Sequence, residues 1–211
     1  MAWQQEFLCK FLDSSLTFFQ GFEDTFSDFH FMEGKQWIGI DLSGNGQDET
    51  ILAKVNERNE VKIIKIEGTL DMKYQKIAYE INRSNPVAVY MENNGLGTPI
   101  INEVKKQVKN SNRIYEWNTS NSSKEEIISD LAVQISNKDI YFDSKDTELF
   151  SQFGTFICKI SKTKKLTFAA QEGKKDDMVM ATAIALRCKR DCRMMGESNI
   201  KFAPAGIKQF I

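Results

Sequence analysis

Trp37-Ile38-Gly39-Ile40-Asp41-Leu42 is a short apolar run closed by a carboxylate, and Ser43-Gly44-Asn45-Gly46 follows with strong turn chemistry. The run reads as a strand fit for burial. A carboxylate there is costly to desolvate unless a cation or hydrogen-bond donors compensate. Asp41 therefore has two readings, a structural cap on the turn at Ser43 or one member of a charged site. Thr50 to Val55 and Val61 to Ile66 are two further strands, with Glu57-Arg58-Asn59 as the turn between them. Connections this short imply an antiparallel meander.

Downstream, Asp71 caps a helix that reaches about Arg83, Pro86 stops it, and Val87 to Glu92 is a strand. Thr98 and Pro99 open a second helix as N-cap and first helical residue. Ile114 to Trp117 is a strand, and Ser123 with Glu126 forms a capping box for a helix ending near Ser136. A short strand at Ile140 to Phe142, a helix from Asp146 to Ile157 and a hairpin over Lys159 to Ala169, turning at Lys162-Thr163-Lys164, come next. The last helix runs from Asp176 or Asp177 to about Arg193. This element order is that of an α/β RNase-H-like fold. Such a fold has a mixed sheet, three antiparallel strands followed by parallel ones, flanked by helices on both faces. The strand after the first helix returns by a crossover to lie parallel beside the first strand.

That pairing puts Glu92 at the same end of the sheet as Asp41, where open α/β sheets place their binding crevice. The plainer reading of Glu92 is a side chain turning into solvent at the start of the Gly95-Leu96-Gly97 loop. Asp176-Asp177 open Met178-Val179-Met180-Ala181-Thr182-Ala183-Ile184-Ala185, whose small residues let a helix approach the sheet. Acidic residues at a helix start also serve as caps and dipole partners. Converging carboxylates repel one another and do not all ionise without a counter-charge. Hard divalent cations supply it through oxygen ligands, so Mg²⁺ or Mn²⁺ fits and no His or Cys is needed. Two ions about 4 Å apart activate a water and stabilise the leaving oxygen of an in-line phosphodiester attack. Lys159, Lys162, Lys164 and Lys165 of the hairpin, with Lys174 and Lys175, would then grip DNA phosphates.

Composition is consistent with one domain. The 211 residues suffice for a sizeable core, and no apolar run reaches the roughly 18 residues of a membrane span. Met1 to Phe19 carries Glu6, Lys10 and Asp13 among its apolar residues and is not a signal peptide. Cys9, Cys158, Cys188 and Cys192 form no C-x-x-C pair and read as reduced thiols. Structural zinc is disfavoured because Cys188 and Cys192 lack two further ligands. The single histidine, His30, stands apart from the acidic residues, which argues against His-dependent chemistry. A net charge of −1 hides an asymmetry: residues 151–211 hold 12 Lys/Arg against 5 Asp/Glu, residues 1–36 hold 2 against 6. A one-sided phosphate-binding surface fits that division, as do solvated lysines on exposed helices. Residues 1–35 are rich in phenylalanine without a clear period and read as an arm that docks on something. Residues 36–194 then form the RNase-H-like domain and 195–211 a tail.

Three stretches carry a resemblance. Trp37-Ile-Gly-Ile-Asp41, Val89-Tyr-Met-Glu92-Asn93-Asn94-Gly95-Leu-Gly97 and Lys175-Asp-Asp177-Met-Val-Met-Ala181 resemble the three acidic motifs of the large terminase subunit of tailed bacteriophages. The likeness is to its C-terminal nuclease domain and covers about Gln36 to Arg190. Trp3-Gln-Gln-Glu-Phe-Leu-Cys-Lys-Phe-Leu-Asp-Ser-Ser15 is similar to the segment joining the packaging ATPase to that nuclease. The resemblance implies a metal-dependent endonuclease that cuts concatemeric double-stranded viral DNA during genome packaging, in the cytoplasm of the infected bacterial host. It implies Asp41, Glu92 and Asp177 as catalytic metal ligands, with Asp176 as an accessory ligand or the true third one. The implied partners are a packaging ATPase domain or subunit, the portal and the small terminase subunit, and no membrane is expected. Two departures stand out. Lys175 occupies a place where many relatives have histidine, and no G-x-x-x-x-G-K-[ST] phosphate loop occurs. Two other readings stay open, another RNase-H-like nuclease such as a junction resolvase, and a non-catalytic DNA-binding assembly module.

Overall fold

The computed structural model describes residues 17–42, 49–93, 97–160 and 166–195. In chain order its elements are β1 (Phe26–Ser27), β2 (Gln36–Asp41), β3 (Thr50–Asn56), β4 (Val61–Ile66), α1 (Leu70–Ser84), β5 (Ala88–Glu92) and α2 (Gly97–Gln107). They continue with β6 (Ile114–Trp117), α3 (Asn121–Ser136), β7 (Phe142–Asp143), α4 (Thr147–Thr155), β8 (Phe156–Ile160), β9 (Leu166–Ala170) and α5 (Asp177–Met195).

The central sheet has the order β4-β3-β2-β5-β6. β2, β3 and β4 form the antiparallel meander, while β5 lies parallel to β2 and β6 parallel to β5. Side chains alternate across a strand, and the alternation divides the core in two. Ile38, Ile40, Val89 and Met91 pack under α1 and α2 with Ile77, Ile81, Ile101 and Val104. Trp37, Ala88 and Tyr90 belong to the opposite core, with α5, α3 and α4. By the same two-residue period Gly39, Asp41 and Glu92 lie on the α5 side. Both carboxylates stand at the carboxyl ends of neighbouring parallel strands. The mixed sheet with helices on both faces matches the expected architecture.

Gly39 decides how closely α5 approaches. A Cβ there would collide with the Ala185 nitrogen and the Ala181 carbonyl oxygen, and lie 2.8 Å from the Ala185 Cα. Strand and helix main chains are in direct contact at this point. The small residues Ala181, Thr182 and Ala185, all fully buried, permit it.

Several boundaries differ from the sequence reading. Thr69, in extended backbone, is the N-cap of α1, which leaves Asp71 in the first turn as a dipole partner. Thr98 sits inside the first turn of α2, because the helix begins at Gly97; its hydroxyl donates to Asn93 Oδ1 (3.0 Å). The capping box of α3 is Ser120 with Ser123, one turn earlier than expected. Asp146 does cap α4, through Leu149 N–H (3.0 Å), but the helix ends at Thr155. Phe156 instead starts the hairpin, paired with Ala170 and fully buried. The expected strand at Ile140 is reduced to Phe142–Asp143, in parallel register with Phe26–Ser27.

The phenylalanine-rich segment docks on the domain's own core. Phe18, Phe19 and Phe22 are buried there. Phe18 N–H donates to the Phe156 carbonyl at 2.7 Å, and the Phe19 ring meets Phe153 edge-on with centroids 5.0 Å apart. Residues 1–16 and the tail from 196 onward lie outside the described residues, as do the turn at 43–48, the loop at 94–96 and the hairpin tip at 161–165. Among the described residues no helix is long and apolar enough to cross a membrane.

Candidate metal centre

Asp41 closes β2 and Glu92 closes β5, one residue beyond the paired Ile40 and Met91. Parallel register on one face brings the two carboxyl groups into hydrogen-bond contact. Burial, then the Glu92 carboxyl beside it and the charges of Glu92, Asp177 and Asp176, push the Asp41 carboxyl well above the usual carboxylate range. Asp41 keeps a solvent-facing edge, yet desolvation of its carboxyl is the largest of these influences. Glu92 is only 6 % exposed and is held from the far side, where the Thr119 hydroxyl donates to Oε1. Two carboxyl groups in such contact do not both ionise in isolation. A proton or a cation must lie between them.

The acidic pair at 176–177 arrives with α5. Asp176 is the N-cap residue: its carbonyl accepts from Met180 N–H at 2.9 Å. An N-cap aspartate ordinarily turns its carboxylate back onto the second or third helical N–H. Here the second one, Met178 N–H, is taken by Gln152 Oε1 of α4 at 2.9 Å. Gln152 is 4 % exposed, so a buried amide caps this helix. The Asp176 carboxylate instead accepts from Lys124 Nζ at 3.3 Å. Lys124 lies in the first turn of α3, where Ser120 Oγ accepts from Ser123 N–H (3.1 Å) and Ser123 Oγ from Ser120 N–H (2.8 Å).

The sequence-derived residues are thus partly assembled. Asp41 and Glu92 touch, and Asp176 and Asp177 stand close enough for their charges to bear on Asp41. Among the described residues no three His, Cys, Asp or Glu side chains are gathered tightly enough to hold an ion. The donor set itself is all oxygen, crowded and negative, which suits a hard divalent cation and not zinc-type sulfur or imidazole ligation. Of the lysines expected to hold DNA, Lys159 and Lys174 are exposed. Lys175 is tied to Glu49 at 3.0 Å, and its ammonium holds the Glu49 carboxyl below its ordinary range. Lys162, Lys164 and Lys165 lie outside the described residues.

Three residues around the site escaped the sequence reading: Thr119, Lys124 and Gln152. The first two follow once Ser120 is taken as the cap of α3. Its connection to β6 then starts beside Glu92, because Glu92 pairs with Trp117. For Gln152 no sequence signal exists, since a glutamine on an amphipathic helix looks solvent-facing until the packing is known.

Residues 38–188 match the family model described as the terminase RNaseH-like domain. Among solved structures, the chain shares its fold with the magnesium-bound large terminase nuclease from thermophilic phage G20c. The TM-score is 0.70 at 17% identity, over 82% of this chain and 98% of that one. The large terminase nuclease domain of Thermus phage P74-26 aligns with a TM-score of 0.64 at 15% identity, over 87% and 98% of the two chains. A mutant nuclease domain of the large terminase subunit of bacterial virus Sf6, with manganese and beta-thujaplicinol, gives 0.59 at 11% identity over 74% and 88%. No curated protein sequence matches the chain.

Proposed function

Because the chain belongs to the family of terminase RNaseH-like domains and has the nuclease-domain fold of large terminase subunits, we propose that it is a divalent-metal-dependent endonuclease cutting double-stranded viral DNA during genome packaging. One observation carries the reading: the largely desolvated Asp41 carboxyl and the buried Glu92 carboxyl of the neighbouring strand touch, with two more acidic residues at the adjoining helix start. Thr119 donates to Glu92 and Lys124 pairs with Asp176, yet Asp41 and Glu92 face each other.

In this reading Asp41, Glu92 and Asp177 hold Mg²⁺ or Mn²⁺, two ions in all, with Asp176 beside them. Bound ions would supply activation of a water and neutralisation of charge on the leaving oxygen. The chain's own part is positional. Main-chain pairing of β2 with β5 fixes Asp41 relative to Glu92, Thr119 fixes the rotamer of Glu92, and Gln152 fixes the first turn of α5. Lys174 and Lys159, exposed, meet backbone phosphates by charge alone, which gives affinity without sequence preference. Lys175 reaches phosphate by leaving Glu49. The setting is the cytoplasm of the infected host, with a packaging ATPase, portal and small terminase subunit as partners.

The test is a plasmid-nicking assay with Mg²⁺, Mn²⁺ and EDTA on wild type and Glu92→Gln. Cleavage is expected with either ion and none with EDTA. Glu92→Gln should lower the rate by about a thousandfold, the scale of losing one group from a preorganised charge-stabilising set. Cleavage that survives EDTA, or an undiminished Glu92→Gln rate, would sink the proposal. Preference for four-way junctions over linear and supercoiled duplex would move the assignment to a resolvase.

A further inference from the structure

Residues 17–27 run along α4 as a strap, with Phe19, Phe22 and Phe26 all setting rings against Phe150 or Phe153. Phe150, Phe153 and Gly154 share one helical face by their three- and four-residue spacing. Phe22 lies against all three. Its ring centroid is 4.9 Å from that of Phe150 and 5.8 Å from that of Phe153, and a Cβ on Gly154 would meet its Cζ at 3.7 Å. The strap also holds the C-terminal end of α4, where helix carbonyls run short of donors. The Thr17 hydroxyl donates to the Phe153 carbonyl (2.5 Å), and Phe18 N–H to the Phe156 carbonyl (2.7 Å). Gln152, the residue before Phe153, turns instead toward α5, and its Oε1 accepts from Met178 N–H at 2.9 Å. Its Nε2 is buried and bonds to no described residue. The amide thus has one hydrogen-bond anchor, and its reach toward Met178 is set by where α4 lies.

We propose that the strap is a conformational control on the start of α5, acting through α4. With Thr17, Phe19 and Phe22 seated, Gln152 reaches Met178 N–H; when the strap lifts, that cap loosens. Two caps stand in series, Thr17 on the end of α4 and Gln152 on the beginning of α5. Thr17 is a positioning residue in this arrangement, and its effect passes along one nine-residue helix. The turn so governed adjoins Asp176 and contains Asp177. Any event that lifts the strap is thereby read at the acidic end of α5. The coupling needs no bound ion, so it stands or falls apart from the metal reading.

Amide hydrogen exchange of the whole chain, followed by NMR, tests this at Met178 N–H, with the amides of β3 and β4 as a gauge of global opening. Gln152→Leu should speed exchange at Met178 by about tenfold, the scale of one lost hydrogen bond. Thr17→Val should speed it by about fivefold and leave β3 and β4 within about twofold of wild type. Thr17→Ser, which keeps the hydroxyl, should match wild type. On the Gln152→Leu background, Thr17→Val should add nothing at Met178. If Thr17→Val fails to fold, Phe22→Leu, which keeps apolar bulk and loses the ring contacts, carries the same comparisons. Unchanged exchange at Met178 in Thr17→Val overturns the proposal. So does equal acceleration at Met178 and in β3 and β4, because that is ordinary loss of stability. An acceleration that persists in full on the Gln152→Leu background also overturns it, since the effect then bypasses Gln152.

Discussion

The two ends of α5 treat charge in opposite ways. Toward its C-terminus Arg187, Lys189, Arg190 and Asp191 each meet a partner of the chain. Arg187 pairs with Glu126 at 2.5 Å and with Asp191 at 2.8 Å, lying over the Trp117 ring 5.5 Å from its centroid. Asp191 also accepts from the Tyr90 hydroxyl at 2.9 Å. Arg190 bonds Asp130 and Glu126. Lys189, 3 % exposed, gives its protons to the carbonyls of Asn56 and Glu57 and to Asn59 Oδ1. At the N-terminus the groups in contact share one sign, Asp41 against Glu92 with Asp176 and Asp177 near; Lys124 pairs with Asp176, and Lys175 feels the charge of Asp177. Charges that hold a fold together are balanced inside the chain. An excess of one sign marks a place completed from outside.

The sharpest way to break the contrast is to move the helix that carries both ends. Gly39→Ala drives a methyl into the α5 main chain, and a cost of about 3 kcal/mol is expected, at the upper end for overpacking. Urea unfolding gives the value; a loss under about 0.5 kcal/mol would mean that strand and helix separate easily and that α5 is not seated by this contact.

Substitutions at the two ends should next differ in sign. Asp191→Asn leaves Arg187 and Tyr90 short of a partner in a mostly buried network, and stability should fall by about 2 kcal/mol. Asp41→Asn, in EDTA, removes a carboxyl whose ionisation burial and its carboxylate neighbours oppose, and stability should rise by about 1 kcal/mol. Parallel thermal melts decide the matter. A destabilised Asp41→Asn would make Asp41 a structural residue.

The smallest effect is a pH slope. Burial, then the charge of Arg193, lowers the Lys189 ammonium to about 8 from 10.5, with Glu57 opposing. Between those values the unfolded chain binds more protons than the folded one, so this group makes stability rise with pH. The rise should be on the order of 1 kcal/mol from about pH 8 to about pH 9.5. Burial and the Asp191 charge hold the Tyr90 hydroxyl protonated far above its usual range. Its contribution is lost at higher pH, which keeps the useful window below the tyrosine range. Unfolding curves for wild type and Lys189→Met isolate the lysine: the variant should lack the rise, and equal slopes would refute its origin.

Much of the fold was legible because the relevant signals are local. Turn residues at 57–59 and the apolar runs around them dictate the meander. A strand-helix-strand crossover places β5 beside β2, and the two-residue period then assigns Asp41 and Glu92 to one face. What escaped depends on contacts between distant segments. Phe18, Phe19 and Phe22 show no period because they fill gaps left by α4 and the hairpin. Lys54, 1 % exposed, sits in a strand where a lysine suggests solvent, and its charge is met by Glu80 of α1 at 2.7 Å. The cap of α3 is ambiguous in sequence because Ser120, Ser122 and Ser123 offer equivalent chemistry, and only the end of β6 selects Ser120.

The contact at Gly39 also governs which parts of the chain can vary. No side chain lies between the β2 and α5 main chains there, so the seam keeps its width however the neighbouring residues are exchanged. Ile38, Val179 or Ile184 can be traded for other apolar groups at the cost of some packing, and the far-apart acidic positions still come out aligned. A single added carbon at 39 has no such tolerance. Sequence drift through this core is thus broad in most directions and closed in one, at a position that bears no charge and lies sealed under a helix.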